Sequence, residues 1–189
     1  AGVMLYSTGF QTNVGVIPSV TGRNDYIIFD ETDHASIIEG KRLSFANTLK
    51  FKHNDMNNLE RVLQKCPIEA AKLIVVDGVF SMEGDIVKLP ELVEIANRYN
   101  ASIMVDEAHG LGVLGNKGRG TCDHFGLVDK VDIIMGTFSK SLASIGGFVA
   151  ADAETINWMK HNSRSYIFSA SISPAATAAA MAAFDIMVS

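Results

Sequence analysis

The chain is 189 residues long, 48% hydrophobic and 20% charged, the ordinary mixture of a globular domain and enough for one core. A net charge of −5 and a pI near 5.5 argue against non-specific nucleic-acid binding, and no local basic patch offsets that balance. Two cysteines, Cys66 and Cys122, make neither a disulfide framework nor a Cys-rich zinc module, which fits a reducing cytoplasm.

Val3 to Ser7 predicts a strand, Gly9 breaks it, and Phe10 to Val20 predicts a helix. That order leaves free backbone N–H groups at the helix start, where an anion would sit. Asp25–Phe29 predicts a second strand, followed by Asp30-Glu-Thr-Asp33, a helix from about His34 to Leu43 and a short strand over Thr48–Lys52. Asp55 fits the N-cap of a helix whose inward stripe is Leu59, Val62 and Leu63. Lys72-Leu-Ile-Val-Val76 is the continuous apolar run of a strand buried on both faces, and a polar turn, Gly78–Asp85, follows it. Pro90 opens a helix with Leu92, Val93, Ile95 and Ala96 facing in. Strands are then expected over Ser102–Val105, Val131–Gly136 and Gly146–Ala150, with a loop from Asp106 to Gly120 between the first two. A helix from Asp152 or Ala153 to Asn162, a short strand over Tyr166–Phe168 and an alanine-rich helix from Pro174 complete the chain. The last is too short to span a bilayer.

Strands alternating with helices at this spacing predict a three-layer α/β fold, a mostly parallel seven-stranded sheet with helices on both faces. Ligands of such sheets bind beyond the carboxyl ends of the strands, so the residues that follow the strands carry the interest. The chain starts inside a core strand with no initiator Met and ends inside a helical pattern, so a piece of a longer protein is expected.

Three chemistries lack their motifs. Asp106-Glu-Ala-His109 has the letters of a helicase Mg²⁺ box, but no G-x-x-x-x-G-K-[ST] loop accompanies it; Gly40-Lys41 has Ala35 in place of the first glycine and Arg42 after the lysine. No G-x-S-x-G elbow supports a serine hydrolase, and no His, Asp or Cys spacing matches zinc. Of the five histidines only His34 and His109 lie directly beyond predicted strands; His53, His124 and His161 read as surface or core residues. What remains is Asp106 after one strand and Lys140 after the next, the lysine among small and hydroxyl residues in Thr137-Phe-Ser-Lys-Ser-Leu-Ala-Ser-Ile-Gly-Gly147. Desolvation of such a lysine lowers its pKa and frees its lone pair for a Schiff base with an aldehyde. Plainer readings stand beside it: Lys140 exposed or touching a phosphate, Asp106 capping a turn, His109 packed in a loop, and Gly146-Gly147 serving a bend. Taken together with the helix start at Gly9, however, the pair matches what pyridoxal phosphate needs: an amine for the aldehyde, a carboxylate for the ring nitrogen and amides for the phosphate.

Along nearly its whole length the chain resembles the large domain of the α-oxoamine synthases, fold type I pyridoxal phosphate enzymes that include serine palmitoyltransferase, 8-amino-7-oxononanoate synthase and 2-amino-3-ketobutyrate CoA ligase. The resemblance runs through Thr8-Gly-Phe10, Asp33–Ile38, Lys52-His-Asn-Asp55, Asp77–Asp85, Val105–Val113, Gly118-Arg-Gly120 and Thr137–Lys140. Phe138–Gly147 is more similar to serine palmitoyltransferases than to the Gly-Lys-Ala or Gly-Lys-Gly versions of the other branches. The resemblance implies that residues 1–189 are the cofactor-binding large domain, without an N-terminal segment and the small C-terminal domain. It implies a decarboxylating condensation of an amino acid with an acyl-CoA, carried out by a homodimer. By position, Lys140 would be the Schiff-base lysine and proton carrier, Asp106 the partner of the pyridinium nitrogen, and His109 the partner of the ring hydroxyl. His34 would stack on the ring and help orient the incoming acid, and Ser81 would hydrogen-bond near a cofactor oxygen. The Gly9 and Phe10 amides with Thr137 would bind phosphate, and Ser169 and Ser171 would lie near a neighbouring subunit's phosphate. The same resemblance implies little activity for this piece alone. Two other readings stay open: an aminotransferase of the same fold, and a noncatalytic partner subunit, which the presence of Lys140 opposes.

Overall fold

The computed structural model describes all 189 residues. Seven strands form one sheet: β1 (Gly2–Tyr6), β2 (Tyr26–Asp30), β3 (Asn47–Phe51), β4 (Lys72–Asp77), β5 (Ser102–Asp106), β6 (Ile133–Thr137) and β7 (Gly147–Ala151), in the order β1-β7-β6-β5-β4-β2-β3. Strands β3, β2, β4, β5 and β6 run parallel, and β7 is antiparallel to both β6 and β1. The expected three-layer, mostly parallel architecture is therefore present.

β4 lies at the centre, buried at all six positions. Its side chains alternate between two cores, as the two-residue period of a strand requires. Leu73 and Val75 join Val16 and Ile17 of α1 (Gly9–Val20), Ile37 of α2 (Ala35–Leu43) and Ile156 and Met159 of the helix Ala153–Asn162. Ile74 and Val76 join Leu59, Val62 and Leu63 of α3 (Met56–Leu63) and Leu92, Ile95 and Ala96 of α4 (Leu89–Arg98). Each fully buried aliphatic side chain contributes about 1.5–3 kcal/mol. The two cores together pin the register that lines up the strand ends.

Several boundaries move by one residue, with a functional consequence. Asp30, Asp77, Asp106 and Thr137 are the last residues of β2, β4, β5 and β6, not the first residues of loops. They are held by ladder hydrogen bonds, and Asp77 sits directly opposite Asp106 in the register. His34, expected to open α2, is its N-cap, and Asp55 caps α3 as anticipated. A four-residue helix, α5 (Thr121–His124), was not evident in the sequence; α6 is Ala153–Asn162, capped by Asp152.

One expected element is corrected. Tyr166–Phe168 is not a strand; Arg164–Ile167 is a single helical turn, α7, continued in the chain by α8 (Pro174–Val188). The aromatic, β-branched composition is overridden by packing. Tyr166 meets Tyr6 edge to face with ring centroids 5.9 Å apart, the Ser165 hydroxyl donates to the Gln11 carbonyl, and Ser163 bonds the Tyr6 hydroxyl at 2.9 Å. No helix is long and apolar enough to cross a membrane.

Candidate active site

A cavity of about 370 Å³ opens at the carboxyl end of the sheet and is lined by Thr8, Gly9, Phe10, His34, Ser36, Asp106, Thr137, Ser139 and Lys140 among others. Six residues singled out in the sequence around a cofactor, Lys140, Asp106, His34, Thr137, Gly9 and Phe10, thus converge on one space. His109, half-buried beyond β5, lies close enough to feel the charges of Lys140, Asp106 and His34, although it makes no hydrogen bond. Ser81 is not brought to this cavity: it is exposed on the Gly78–Asp85 turn and makes no side-chain hydrogen bond. Ser169 accepts a hydrogen bond from Gln11 Nε2 at 3.2 Å, and with Ser171 it lines a separate depression beside β1.

The N-terminus of α1 forms one wall. Thr8 caps it by accepting from the Gln11 N–H, and the Gly9 and Phe10 N–H groups have no acceptor within the chain. This is the donor pair that a helix start offers an anion. Gly9 is demanded by contact: a Cβ there would lie 2.6 Å from Thr137 Oγ1 and 2.8 Å from Thr137 Cβ. Gly147 serves the same close approach, since a Cβ there would come within 3.0 Å of Gly9 Cα, whereas Gly146 has a φ of +125° and packs against Phe138 and Ile172. Gly9→Ala is accordingly expected to push α1 away from β6, costing about 1–3 kcal/mol of stability and weakening phosphate binding. Chemical denaturation and a phosphate or phosphorylated-ligand titration measure the two losses.

Lys140 lies on the connection between β6 and β7, which is held by the Thr137 hydroxyl donating to the Gly146 carbonyl (3.1 Å) and the Ala143 N–H donating to the Lys140 carbonyl (3.0 Å). Its ammonium has no ion-pair partner. Desolvation pushes its pKa below the ordinary lysine value, and the nearby Asp106 and Asp77 carboxyls only partly oppose this. Such an amine loses its proton more readily than a surface lysine.

Asp106 is 2% exposed. Its two oxygens are satisfied by neutral donors, Asn13 Nδ2 at 2.7 Å and the Ala108 N–H at 2.8 Å. Burial raises its pKa, against the pull of those hydrogen bonds and of Lys140 and His34. A buried carboxylate held by neutral amides and lacking a cation would be stabilised by a cationic ring nitrogen. Together with the anion-binding helix start and the unpaired amine, that unmet need makes the residues fit a pyridoxal phosphate.

Two further buried acids stand behind Asp106, and both keep their protons to higher pH than an ordinary carboxyl. Asp77 accepts from the His34 N–H at 2.8 Å, and burial, followed by repulsion from Asp106, pushes its pKa up to about 8. Asp33 accepts from the N–H groups of Asp77 (3.0 Å) and Asp30 (2.9 Å), and burial with repulsion from Asp77 and Asp30 raises it well above the carboxylate range. An acid whose folded pKa lies above its unfolded value binds more protons when folded, so its contribution is present at low pH and lost as pH rises toward the folded pKa. For Asp77 the loss runs from the ordinary value of 3.8 to about 8. Melting temperature is therefore expected to decline over that interval, and Asp77→Asn, which keeps an acceptor for the His34 N–H, to flatten the decline. Thermal melts at several pH values test this.

Sequence reasoning missed Asn13 and Ser36. Asn13 is fully buried in α1, and its Nδ2 reaches both Asp106 Oδ2 and Ser36 Oγ (2.8 Å). Its Oδ1 has no partner, a deficit worth about 1–3 kcal/mol. The opposite amide orientation would set Oδ1 against the Asp106 carboxylate. His53, read as a surface or core residue, bridges Asp30 (3.1 Å) and Asp85 (3.1 Å); burial opposes its charge, but the two carboxylates prevail and raise its pKa. It ties the Gly78–Asp85 turn to β2 and lies outside the cavity lining.

Comparison with known proteins accords with this geometry. Residues 3–188 match the aminotransferase class I and II family. The chain belongs to that family. It is 66% identical over 184 residues to a serine palmitoyltransferase of Bacteroides ovatus, covering 97% of this chain and 47% of the relative. It is 48% identical over 186 residues to an 8-amino-7-oxononanoate synthase of Thermoanaerobacter pseudethanolicus, covering 98% of this chain and 47% of the relative. Among solved structures, the serine palmitoyltransferase from S. paucimobilis with bound PLP–myriocin aldimine superposes with a TM-score of 0.97 at 38% identity, covering all of this chain and 48% of that one. The chain spans about half the length of the curated relatives it matches. The relatives are named for two of the α-oxoamine synthase branches that the motifs resemble.

Proposed function

We propose that residues 1–189 form the pyridoxal phosphate-binding large domain of an α-oxoamine synthase, serine palmitoyltransferase-like, that condenses an amino acid with an acyl-CoA with loss of CO₂. The observation that carries the reading is the convergence of an unpaired, pKa-depressed Lys140 and a buried Asp106 without an ion-pair contact on one cavity with the α1 N-terminus. The 66% identity to a serine palmitoyltransferase supports the choice of branch.

Bound in this cavity, pyridoxal phosphate supplies an aldehyde for the amino group and a protonated ring that draws electrons from the amino acid's α-carbon. The chain's residues do the rest. The Lys140 amine would hold the group's aldehyde, and with its lowered pKa it would take and return a proton at Nζ. Asp106 would keep the ring nitrogen protonated, and the Gly9 and Phe10 N–H groups would hold the phosphate, joined by the Thr137 hydroxyl once its hydrogen turns from the Gly146 carbonyl. His34 covers the ring and orients the amino acid; its Nδ1 accepts from the Ser36 N–H, so its proton sits on Nε2. His109 and Ser81 are assigned to the cofactor's ring oxygen on family resemblance; Ser81 would need the exposed Gly78–Asp85 turn to move inward. Ser169 and Ser171 are assigned to a neighbouring subunit's phosphate on the same ground. A homodimer and a cytoplasmic location complete the proposal, the latter consistent with two buried free thiols.

CoA release by the full-length protein, assayed with serine, glycine and alanine against short and long acyl-CoAs, tests the reading. Release that depends on serine and a long-chain acyl-CoA is expected. Preference for a short acyl donor would move the protein to another branch, and formation of an oxoacid without any acyl-CoA would sink the synthase reading in favour of an aminotransferase.

A further inference from the structure

Two side chains of the cavity, Asp106 and His34, come from different elements, the end of β5 and the start of α2, yet both are bonded through one residue of α1. Asn13 has two amide hydrogens. Nδ2 lies 2.7 Å from Asp106 Oδ2 and 2.8 Å from Ser36 Oγ, so both are committed. Because Ser36 Oγ accepts from Asn13, its single hydrogen is left for His34 Nδ1, 2.8 Å away. The Ser36 N–H donates to the same nitrogen at 3.2 Å, which makes Nδ1 the unprotonated nitrogen of the ring. The orphaned Asn13 Oδ1 shows that this amide gives up its own acceptor bond to keep both donors in place. The helices are built for the contact: a Cβ on Gly40, four residues after Ser36 on α2, would lie 2.7 Å from the Asn13 carbonyl oxygen.

We propose that Asn13 is a positioning residue, a two-armed fork that fixes the Asp106 carboxylate with one N–H and, through the Ser36 hydroxyl, fixes the His34 imidazole with its proton on Nε2. The proposal rests on the reading of the cavity as a pyridoxal phosphate site for its consequence, and on the hydrogen bonds alone for its geometry. The fork lets one buried amide coordinate the group that tunes the ring nitrogen and the group that covers the ring. A packing role would demand only that Asn13 be the right size.

Two readouts on the full-length protein separate these. The first needs no cofactor: ¹⁵N-histidine NMR, with the His34 signals assigned by their loss in His34→Gln. Asn13→Ala is expected to shift the His34 Nδ1 resonance although Asn13 makes no bond to His34, and Ser36→Ala to shift it as well. The second is a visible-absorbance titration with pyridoxal phosphate at fixed pH. Asn13→Ala is expected to weaken binding roughly ten- to hundredfold, the loss for a hydrogen bond to a charged group, while Ser36→Ala, which leaves the Asp106 arm intact, stays within about threefold. An unmoved His34 Nδ1 resonance in Asn13→Ala overturns the relay. Equal affinity losses in the two variants overturn the division into two arms. Circular dichroism verifies folding, and Asn13→Leu, which keeps the branched heavy-atom skeleton and removes both donors, replaces an Asn13→Ala that does not fold. A wild-type protein without affinity for pyridoxal phosphate overturns the proposed function, and the His34 resonance still judges the relay.

Discussion

Lys140→Ala in the full-length protein is expected to lose the visible absorbance that the wild type develops with added pyridoxal phosphate, and to slow CoA release by about 10²–10⁴-fold, the usual worth of a positioned proton carrier. The expectation follows from what surrounds the amine. Lys140 makes no ion pair, partial desolvation at the cavity mouth already disfavours its charge, and the nearby carboxyls of Asp106 and Asp77 only moderate that effect. A lysine kept for its charge alone would be replaceable by arginine. One kept for its lone pair would not be, because a guanidinium is not deprotonated in proteins. Lys140→Arg is therefore expected to fail in the same way, whereas an absorbance band that persists unchanged in Lys140→Ala would remove the assignment altogether. Stability should hardly change, since the side chain is exposed at the cavity mouth and forms no hydrogen bond.

Much of this arrangement is legible in the sequence because it is local. The run Lys72–Val76 announces the doubly covered central strand, and a polar residue directly after each apolar run marks the functional edge of the sheet. Asp106 and Lys140 are visible for that reason. The fork is not, because its parts are bound by tertiary contact: Asn13, Ser36 and Asp106 come from α1, α2 and β5. A signal nevertheless existed. Asn13 stands three and four residues before Val16 and Ile17, on the stripe of α1 that faces the core, and a polar residue on such a stripe must find partners. The buried Asp77 is equally concealed, because the sequence does not show that it faces Asp106 across the sheet. Tyr166–Phe168 went astray for the opposite reason: its composition favours a strand, but Tyr166 packs on Tyr6 within a helical turn.

Asp106→Asn separates chemistry from folding at the other half of the pair. The substitution keeps the shape and removes the charge, so the ring nitrogen of a bound pyridoxal phosphate would lose the anion that keeps it protonated, and CoA release is expected to fall on the order of 10²–10³-fold, as when a preorganised electrostatic partner is deleted. Folding should respond far less. Burial already penalises the ionised carboxyl, so a neutral amide relieves that cost. Against this, an asparagine has one acceptor oxygen where the carboxylate has two, and it cannot serve both Asn13 Nδ2 and the Ala108 N–H. Leaving one buried donor unpaired costs about 1–3 kcal/mol, enough to offset much of the relief. Melting temperature is thus expected to stay close to that of the wild type while activity collapses. Were stability to fall in step with activity, Asp106 would be a structural cap on the turn after β5, and the negative charge at the end of that strand would serve the fold before any cofactor.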